Sequence, residues 1–190
     1  MTTNAVYVKN GTSFVWSNST YLAGAEPKLG VYSATYDIDC ASLGAAAARQ
    51  SIKADLGNPR APAYVVDISF EMVSDPAAGG SISLSGSHSS SATAANDNLG
   101  HASGVDGAYA ATKGYTLTEL LTQLDYFGFV PVAVQNAADG VQVGRAGIIY
   151  PKERYGQLIV VNNASVALHT DSIEFAVRFT PLFDDIQAAA

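Results

Sequence analysis

The feature that most constrains this chain is a run of alternating residues at positions 63–73. Apolar side chains occupy every second position, at Tyr64, Val66, Ile68, Phe70 and Met72. A period of two is the repeat of a β-strand with one buried face, whereas an α-helix repeats every 3.6 residues. The run therefore predicts a half-buried strand that packs against a core.

Further strand-like segments follow this run, and turn residues separate them. They are expected at residues 81–88, 129–135, 141–150, 157–162 and 172–182. Pro181 is expected to stop the last of them. A capping box at 116–119 predicts one short helix, and the loop at 89–114 is either functional or poorly ordered.

Short strands, frequent turns and a single short helix predict an all-β sandwich. A jelly roll is the preferred topology, although periodicity alone does not distinguish it from an immunoglobulin-like sandwich. The expected organisation is an extended N-terminal arm at 1–50, a jelly-roll-like β-sandwich at 51–187 and a tail at 188–190. The alternative is that residues 1–50 supply the first strands of the same sheet.

Composition limits the partners that the chain can have. Only 14% of the residues are charged, against about 25% in an average protein, which suggests that much of the surface meets other protein. The net charge of −7 argues against binding to nucleic acid. No apolar run is long enough to span a membrane, and the N-terminus lacks the pattern of a secretory signal.

Three histidines are the first candidates for catalysis or metal binding. None of them belongs to a His-Glu-x-x-His zinc motif. His88 continues the inward face of segment 81–88 and is interpreted as a core or strand-end residue, and His169 precedes a turn. His101 lies in a polar loop near Asp97 and Asp106, so a hydrolase that uses His101 with Asp97 or Asp106, or a cation site in that loop, remains an alternative.

Other catalytic motifs are missing from the chain. Residues 100–104 only resemble a Gly-x-Ser-x-Gly elbow, since no buried strand precedes them. Cys40 is the single cysteine, which excludes an intrachain disulfide and is typical of a packed, inert thiol. Asp67 and Glu71 share a strand face, where carboxylates are expected to be exposed and to aid solubility. We therefore predict no catalytic residues, no metal ligands and no cofactor, and a protein that is not an enzyme.

Three segments of the chain carry a family resemblance. They are IKADLG at 52–57 followed by APAYVVD at 61–67, the hairpin FEMVSDPAAGGSISLSG at 70–86, and ERYGQLIV at 153–160 running into IEFAVRFT at 173–180. In these segments the chain resembles the jelly-roll decoration, or cement, proteins of tailed-bacteriophage capsids. The resemblance covers roughly residues 50–187 and consists of a pattern of strands and turns.

The resemblance implies a viral structural protein made in the cytoplasm of a bacterial host. Its partners would be the major capsid protein and two further copies of itself, and the homotrimer would stabilise the outer surface of the virion capsid. An extended arm with spaced aromatic residues could wrap a neighbour, and we expect the capsid or subunit contacts at Tyr7, Phe14, Trp16 and Tyr21. No contact with nucleic acid or a membrane is expected.

An alternative is a carbohydrate- or receptor-binding sandwich module of a virion. The ten tyrosines and Trp16 permit it. Sugar-binding platforms need exposed aromatic rings, however, and the tyrosines in the strands are expected to face mostly into the core.

Overall fold

The computed structural model describes residues 5–18, 29, 36–57, 60–133, 140–171 and 173–187. The helical parts of this described chain are one short helix, α1 at Leu117–Leu121, and a single 3-10 turn at Leu99–His101. The strands are β1 Ala5–Asn10, β2 Phe14–Ser17, β3 Tyr36–Asp37, β4 Ala48–Gln50, β5 Ala54–Asp55, β6 Ala63–Phe70, β7 Ser81–Ser89, β8 Gly107–Tyr109, β9 Asp125–Pro131, β10 Gln142–Ile149, β11 Tyr155–Asn162 and β12 Ala176–Gln187. None of the helices in these residues is long and apolar enough to cross a membrane.

The strands form two sheets that face each other. The first sheet has the order β10-β6-β12-β2-β3, with β1 also paired to β12, and the second has the order β8-β4-β11-β7-β9, with β5 also paired to β11. Ile68 and Val177 of the first sheet and Leu84 and Leu158 of the second lie in one buried apolar cluster. The prediction of an all-β sandwich with one short helix is therefore confirmed.

Most neighbouring strands in the two sheets are far apart in the chain. In the first sheet β2 lies beside β12, β12 beside β6 and β6 beside β10; in the second sheet β4 lies beside β11, β11 beside β7 and β7 beside β9. If these eight strands are numbered 1 to 8 in chain order, the first sheet has the order 1-8-3-6 and the second the order 2-7-4-5. Such an order excludes a simple meander, in which consecutive strands would be neighbours.

The described N-terminal strands belong to the first sheet. β2 pairs with β12 from Phe14 opposite Phe179 to Ser17 opposite Ala176, and β1 pairs with the far end of β12. These residues therefore follow the alternative interpretation, in which the N-terminal portion supplies strands of the sandwich.

Pro181 does not stop the last strand, so that prediction is wrong. β12 continues to Gln187, because β1 pairs with it beyond the point where β6 ends. Pro181 lacks an N–H group but still takes part in pairing, since its carbonyl oxygen accepts a hydrogen bond from Gly11 N at 2.9 Å.

The strand predicted at 129–135 begins earlier, at Asp125. The predicted capping box is present: Thr116 and Glu119 cap each other's backbone at the start of α1. The helix is only five residues long and covers the outer face of the second sheet, where Leu120 packs in a cluster with Ile159. Because the helix ends at Leu121, β9 can begin at Asp125 rather than at Phe129.

At one edge of the sandwich the two sheets come into close contact, because β9 and β10 lie side by side there. A Cβ atom on Gly128 would lie 2.1 Å from the carbonyl oxygen of Ala146, and one on Gly147 would lie 2.7 Å from that of Phe127. Gly128 also has a φ of +134°, which non-glycine residues rarely adopt. Glycine at these positions therefore allows the edge to close.

We expect Gly128→Ala to lower the free energy of unfolding by roughly 1–3 kcal/mol, because it adds both backbone strain and a clash with Ala146. Gly44→Ala is the control, since a Cβ there would have no neighbour within 4 Å; its effect should stay within about 0.5 kcal/mol. Urea unfolding of both variants measures the difference. Equal stability of the two variants would contradict the proposed need for close backbone approach.

Candidate functional site

Two adjoining clefts open beside the end of β7 and the start of β9. Their volumes are about 280 and 250 Å³, and they share His88, Asp125 and Lys152. The first cleft is otherwise lined mainly by polar residues, namely Ser89, Ser90, Asp97, Leu99 and Glu153. The second is otherwise lined by Tyr126, Phe127, Ile148, Ile149 and Tyr150. A polar surface and an aromatic surface therefore meet at the three shared residues.

The shared residues form a hydrogen-bonded chain with Asp125 in its middle. Asp125 Oδ2 lies 2.7 Å from His88 Nδ1, and Asp125 Oδ1 accepts a hydrogen bond from Lys152 Nζ at 2.6 Å. Burial alone would raise the pKa of Asp125, but the hydrogen bonds from Lys152 and His88 outweigh it, and the pKa lies below its ordinary value. Asp125 is therefore a fixed negative charge at neutral pH.

The alternation of β7 explains why His88 lies under the clefts. Ile82, Leu84, Gly86 and His88 share the inner face of this strand, so the interpretation of His88 as a strand-end residue of that face agrees with the structure. A Cβ on Gly86 would lie 1.9 Å from the Phe127 ring, so only glycine leaves space for that ring. Phe127 then packs near His88, with 6.0 Å between ring centroids.

The segment 89–97, which forms the outer wall of the polar cleft, is held by one lysine. Lys53 Nζ donates to four oxygen atoms, Ser89 Oγ at 2.9 Å and the carbonyls of Ser91, Thr93 and Asn96 at 3.1, 2.7 and 2.8 Å. Burial lowers the pKa of Lys53, while the charge of Asp97 acts in the opposite direction. This part of the long 89–114 loop is therefore an organised wall built around an ammonium group.

Several aromatic and aliphatic side chains are exposed along β9 and β10. Tyr126 and Tyr150 are 62% and 70% exposed, although Tyr64 and Tyr109 are buried as expected for strand tyrosines. Phe129, Pro131, Val143 and Ile148 are also exposed, and we call these four residues the edge strip. The expectation that strand tyrosines face mostly inward is thus wrong for β9 and for the residue after β10.

Sequence reasoning missed these exposed residues because both strands contain a bulge. The pairing register of β9 shifts between Leu84 and Ser85 on its partner strand, so Phe127 and Val130 point inward while Tyr126 and Phe129 point outward. A second shift lies between Arg145 and Gly147 of β10. A bulge breaks the period of two, and the spacing of glycines in these segments is the only sequence signal for it.

The four predicted contact residues have different locations. Phe14 is half-buried and Trp16 is 1% exposed, with its ring 4.4 Å from that of Phe179. Tyr7 lies on β1, opposite Asp185 of β12, and Tyr21 lies outside the described residues. The largest apolar side chain of the N-terminal portion therefore packs into the protein's own core, so Trp16 offers no ring surface to a partner.

Asp67 is not the exposed, solubilising carboxylate that the sequence predicted. It is buried on the outer side of the first sheet, where it accepts hydrogen bonds from Arg145 Nε at 2.9 Å and Arg178 Nη2 at 2.8 Å. Glu71 lies just after the end of β6 and takes part in neither of these ion pairs. Because two guanidinium groups hold the carboxylate of Asp67, its role is structural.

The residues of the hydrolase alternative are engaged elsewhere. The ring of His101 stacks on Tyr115, with 5.5 Å between centroids. Asp106 forms an ion pair with Arg49, and Asp97 accepts a hydrogen bond from Ser90 Oγ at 3.1 Å. None of the described contacts joins His101 to either carboxylate, so the geometry does not favour this alternative.

A different histidine lies among carboxylates. Possible ligand atoms of Glu71, His169 and Glu174 lie within 4.8 Å of one another, and Asp171 Oδ1 is 3.2 Å from His169 Nδ1. Burial and the charges of Asp171 and Glu71 raise the pKa of Glu174. Clustered acidic groups are common at protein surfaces, so this group alone does not establish a metal site.

Comparisons of the chain with models of protein families, with curated proteins and with solved structures find no match. The paired clefts and the edge strip therefore have to be interpreted from their own geometry.

We expect Lys53→Met to lower the free energy of unfolding by about 1.5–3 kcal/mol, since hydrogen bonds to a charged group are lost from a partly buried position. Amide hydrogen exchange in 89–97 should become faster. Lys113→Met removes the same charge from an exposed position and should change stability by no more than about 0.5 kcal/mol. Unchanged exchange in the Lys53 variant would show that the ammonium does not hold the loop.

Asp125→Asn should reduce stability at neutral pH by at most about 1 kcal/mol, because Lys152 is exposed and water screens the pair. The folded-state pKa of Asp125 lies below 3.8, so its contribution is fully present above that pH and disappears as the pH falls through the folded-state pKa. The difference from the wild type, measured by urea unfolding from about pH 6 to about pH 2.5, should therefore shrink on acidification. Tyr126→Ala, which leaves Asp125 ionisable, should keep the wild-type pH dependence. If the stability difference between Asp125→Asn and the wild type grew at low pH, the lowered pKa of Asp125 would be contradicted.

Proposed function

We propose that this protein is a capsid decoration, or cement, protein of a tailed bacteriophage. It associates as a homotrimer, binds the outer surface of a shell of major capsid protein and stabilises that shell. In this proposal it is made in the cytoplasm of the bacterial host and has no catalytic activity, no cofactor and no contact with nucleic acid or a membrane. The observation that carries the proposal is the exposed edge strip on the closed edge of the sandwich.

The edge strip has the properties of a protein contact surface. Phe129 is 53% exposed, and Val143 and Ile148 are exposed to a similar extent. Exposed apolar side chains that lie together on neighbouring strands, as β9 and β10 are, are candidates for protein contact, and large aromatic side chains contribute most to such contacts. Because the close approach at Gly128 and Gly147 joins β9 to β10, the strip lies on backbone that is supported from both sheets.

The strand order also supports the proposal. In a jelly roll, two Greek keys place the first of eight strands beside the last and put most successive strands in different sheets. The neighbours of β12 and β11 fit this arrangement. The number of subunits comes from the family resemblance and is part of the proposal.

The two ends of the described chain form a ribbon that extends from the first sheet. β12 pairs with β6 only as far as Leu182, whereas β1 accompanies it from Leu182 to Gln187. Tyr7 lies within this two-stranded part. In the proposal this ribbon, whose backbone includes Tyr7, contacts the shell or a neighbouring subunit.

The proposed mechanism is stabilisation by selective binding. A protein that binds an assembled shell but not its separated subunits shifts the equilibrium toward the shell by mass action. Many copies on one lattice, each linked within a trimer, turn weak contacts into strong attachment. The net charge of −7 would also disfavour contact with packaged DNA.

Phe129→Asp tests the role of the edge strip in self-association. We expect the wild type to have a mass three times 19.7 kDa by light scattering and the variant to be monomeric, because a charge buried in an apolar contact is strongly unfavourable. Val105→Asp is the matched control, since Val105 is also 53% exposed but lies near β8, at the opposite edge of the second sheet. A wild type that stays monomeric at micromolar concentration would end the proposal.

Shell binding is a separate measurement. Wild-type protein should co-sediment with empty, expanded capsids of the phage that encodes it and raise the temperature at which they dissociate. A trimer that does neither would leave self-association in place but remove the decoration function.

A further inference from the structure

We propose that the paired clefts around Asp125 form a binding site for a neutral carbohydrate. The site adjoins the edge strip, with which it shares Ile148, but it does not depend on the proposed decoration function. Its parts are two exposed tyrosine rings, a fixed carboxylate between the clefts and further polar groups in the outer cleft.

The tyrosine rings supply apolar surface for a sugar. Tyr126 and Tyr150 line the second cleft, and most of each side chain is exposed. A pyranose ring presents C–H groups on its faces, and these pack against an aromatic face in the same way as an aliphatic side chain does. The phenol hydroxyl of each tyrosine can still bond to water or to a sugar hydroxyl.

The carboxylate of Asp125 supplies a preorganised acceptor between the clefts. His88 fixes it from the buried side at 2.7 Å and Lys152 from the exposed side at 2.6 Å. An ionised carboxylate has acceptor capacity for about four hydrogen bonds, so Asp125 can accept a bond from a ligand hydroxyl while it keeps both partners. Lys152 has two further N–H donors for ligand oxygens. Little side-chain entropy is lost when such a fixed group binds.

The outer cleft adds groups that suit hydroxyl-rich ligands. It is lined by the carboxylates of Asp97 and Glu153 and by the hydroxyls of Ser89 and Ser90. Lys53 holds this wall in place through four hydrogen bonds. The two clefts together reach the size range of small-molecule sites, about 300–1,000 Å³.

The charge of the clefts selects against acidic ligands. Asp97, Asp125 and Glu153 line them, and Lys152 is the only lysine or arginine among the lining residues. Phosphate, sulfate and carboxylate groups would meet three negative charges at short range. A protein partner with a flat surface would bury these three carboxylates without pairing them, which would also be unfavourable. Neutral hydroxyl groups avoid both costs, which is why we favour a neutral sugar.

A glycan microarray with neutral and acidic oligosaccharides, probed with the labelled full chain, tests the proposal. We expect binding to neutral glycans, and the best of them is then titrated calorimetrically against the variants. Tyr150→Ala should weaken binding at least about tenfold, equivalent to about 1.4 kcal/mol, and Asp125→Asn should also weaken it. Tyr115→Ala, which removes an exposed tyrosine outside the clefts, should bind like the wild type.

Binding to no neutral glycan, binding to acidic glycans only, or unchanged binding by Tyr150→Ala would each overturn the proposal. Tyr150 is mostly exposed, so its replacement tests the site without a large risk of unfolding. The result is independent of the decoration function. A trimer that coats shells without binding glycans would overturn only the carbohydrate site, and a glycan-binding monomer would overturn only the decoration function.

Discussion

The structure depends on the pairing of β12, which lies in the middle of the first sheet. It has β6 on one side and β2 followed by β1 on the other. Its inner side chains Val177 and Phe179 are buried against Trp16 and the second sheet, and full burial of each such side chain stabilises the fold by about 1.5–3 kcal/mol. Without this strand the N-terminal strands and β6 would have no common partner.

The other edge of the sandwich shows how local backbone geometry creates a surface. Two bulges and the glycines of β9 and β10 bring the sheets into contact. The same bulges turn Tyr126 and Phe129 outward. Closure of the edge and exposure of the aromatic side chains therefore have one cause, and this explains why the paired clefts lie next to the edge strip.

The sequence predicted the strands that keep a regular period. β6, β7 and β11 lie within or next to the expected segments, because each alternates between a core face and an outer face. β10 also lies within its expected segment, although a bulge interrupts its alternation. The start of β9 and the passage of β12 through Pro181 were not predictable, since a bulge and a long-range partner strand decide them. The same holds for the candidate site. His88 was placed correctly on an inner face, but its contact with Asp125 joins residues 37 positions apart, and no local pattern indicates such a pair.

The central position of β12 has a consequence for biosynthesis. Residues 176–182 complete the first sheet, so a chain that is still attached to the ribosome through this segment lacks the strand that its earlier strands pair with. Until residues 176–182 have been made, the apolar faces of the earlier strands stay uncovered and are prone to aggregate. Completion of the first sheet is therefore expected only after residues 176–182 have left the ribosome.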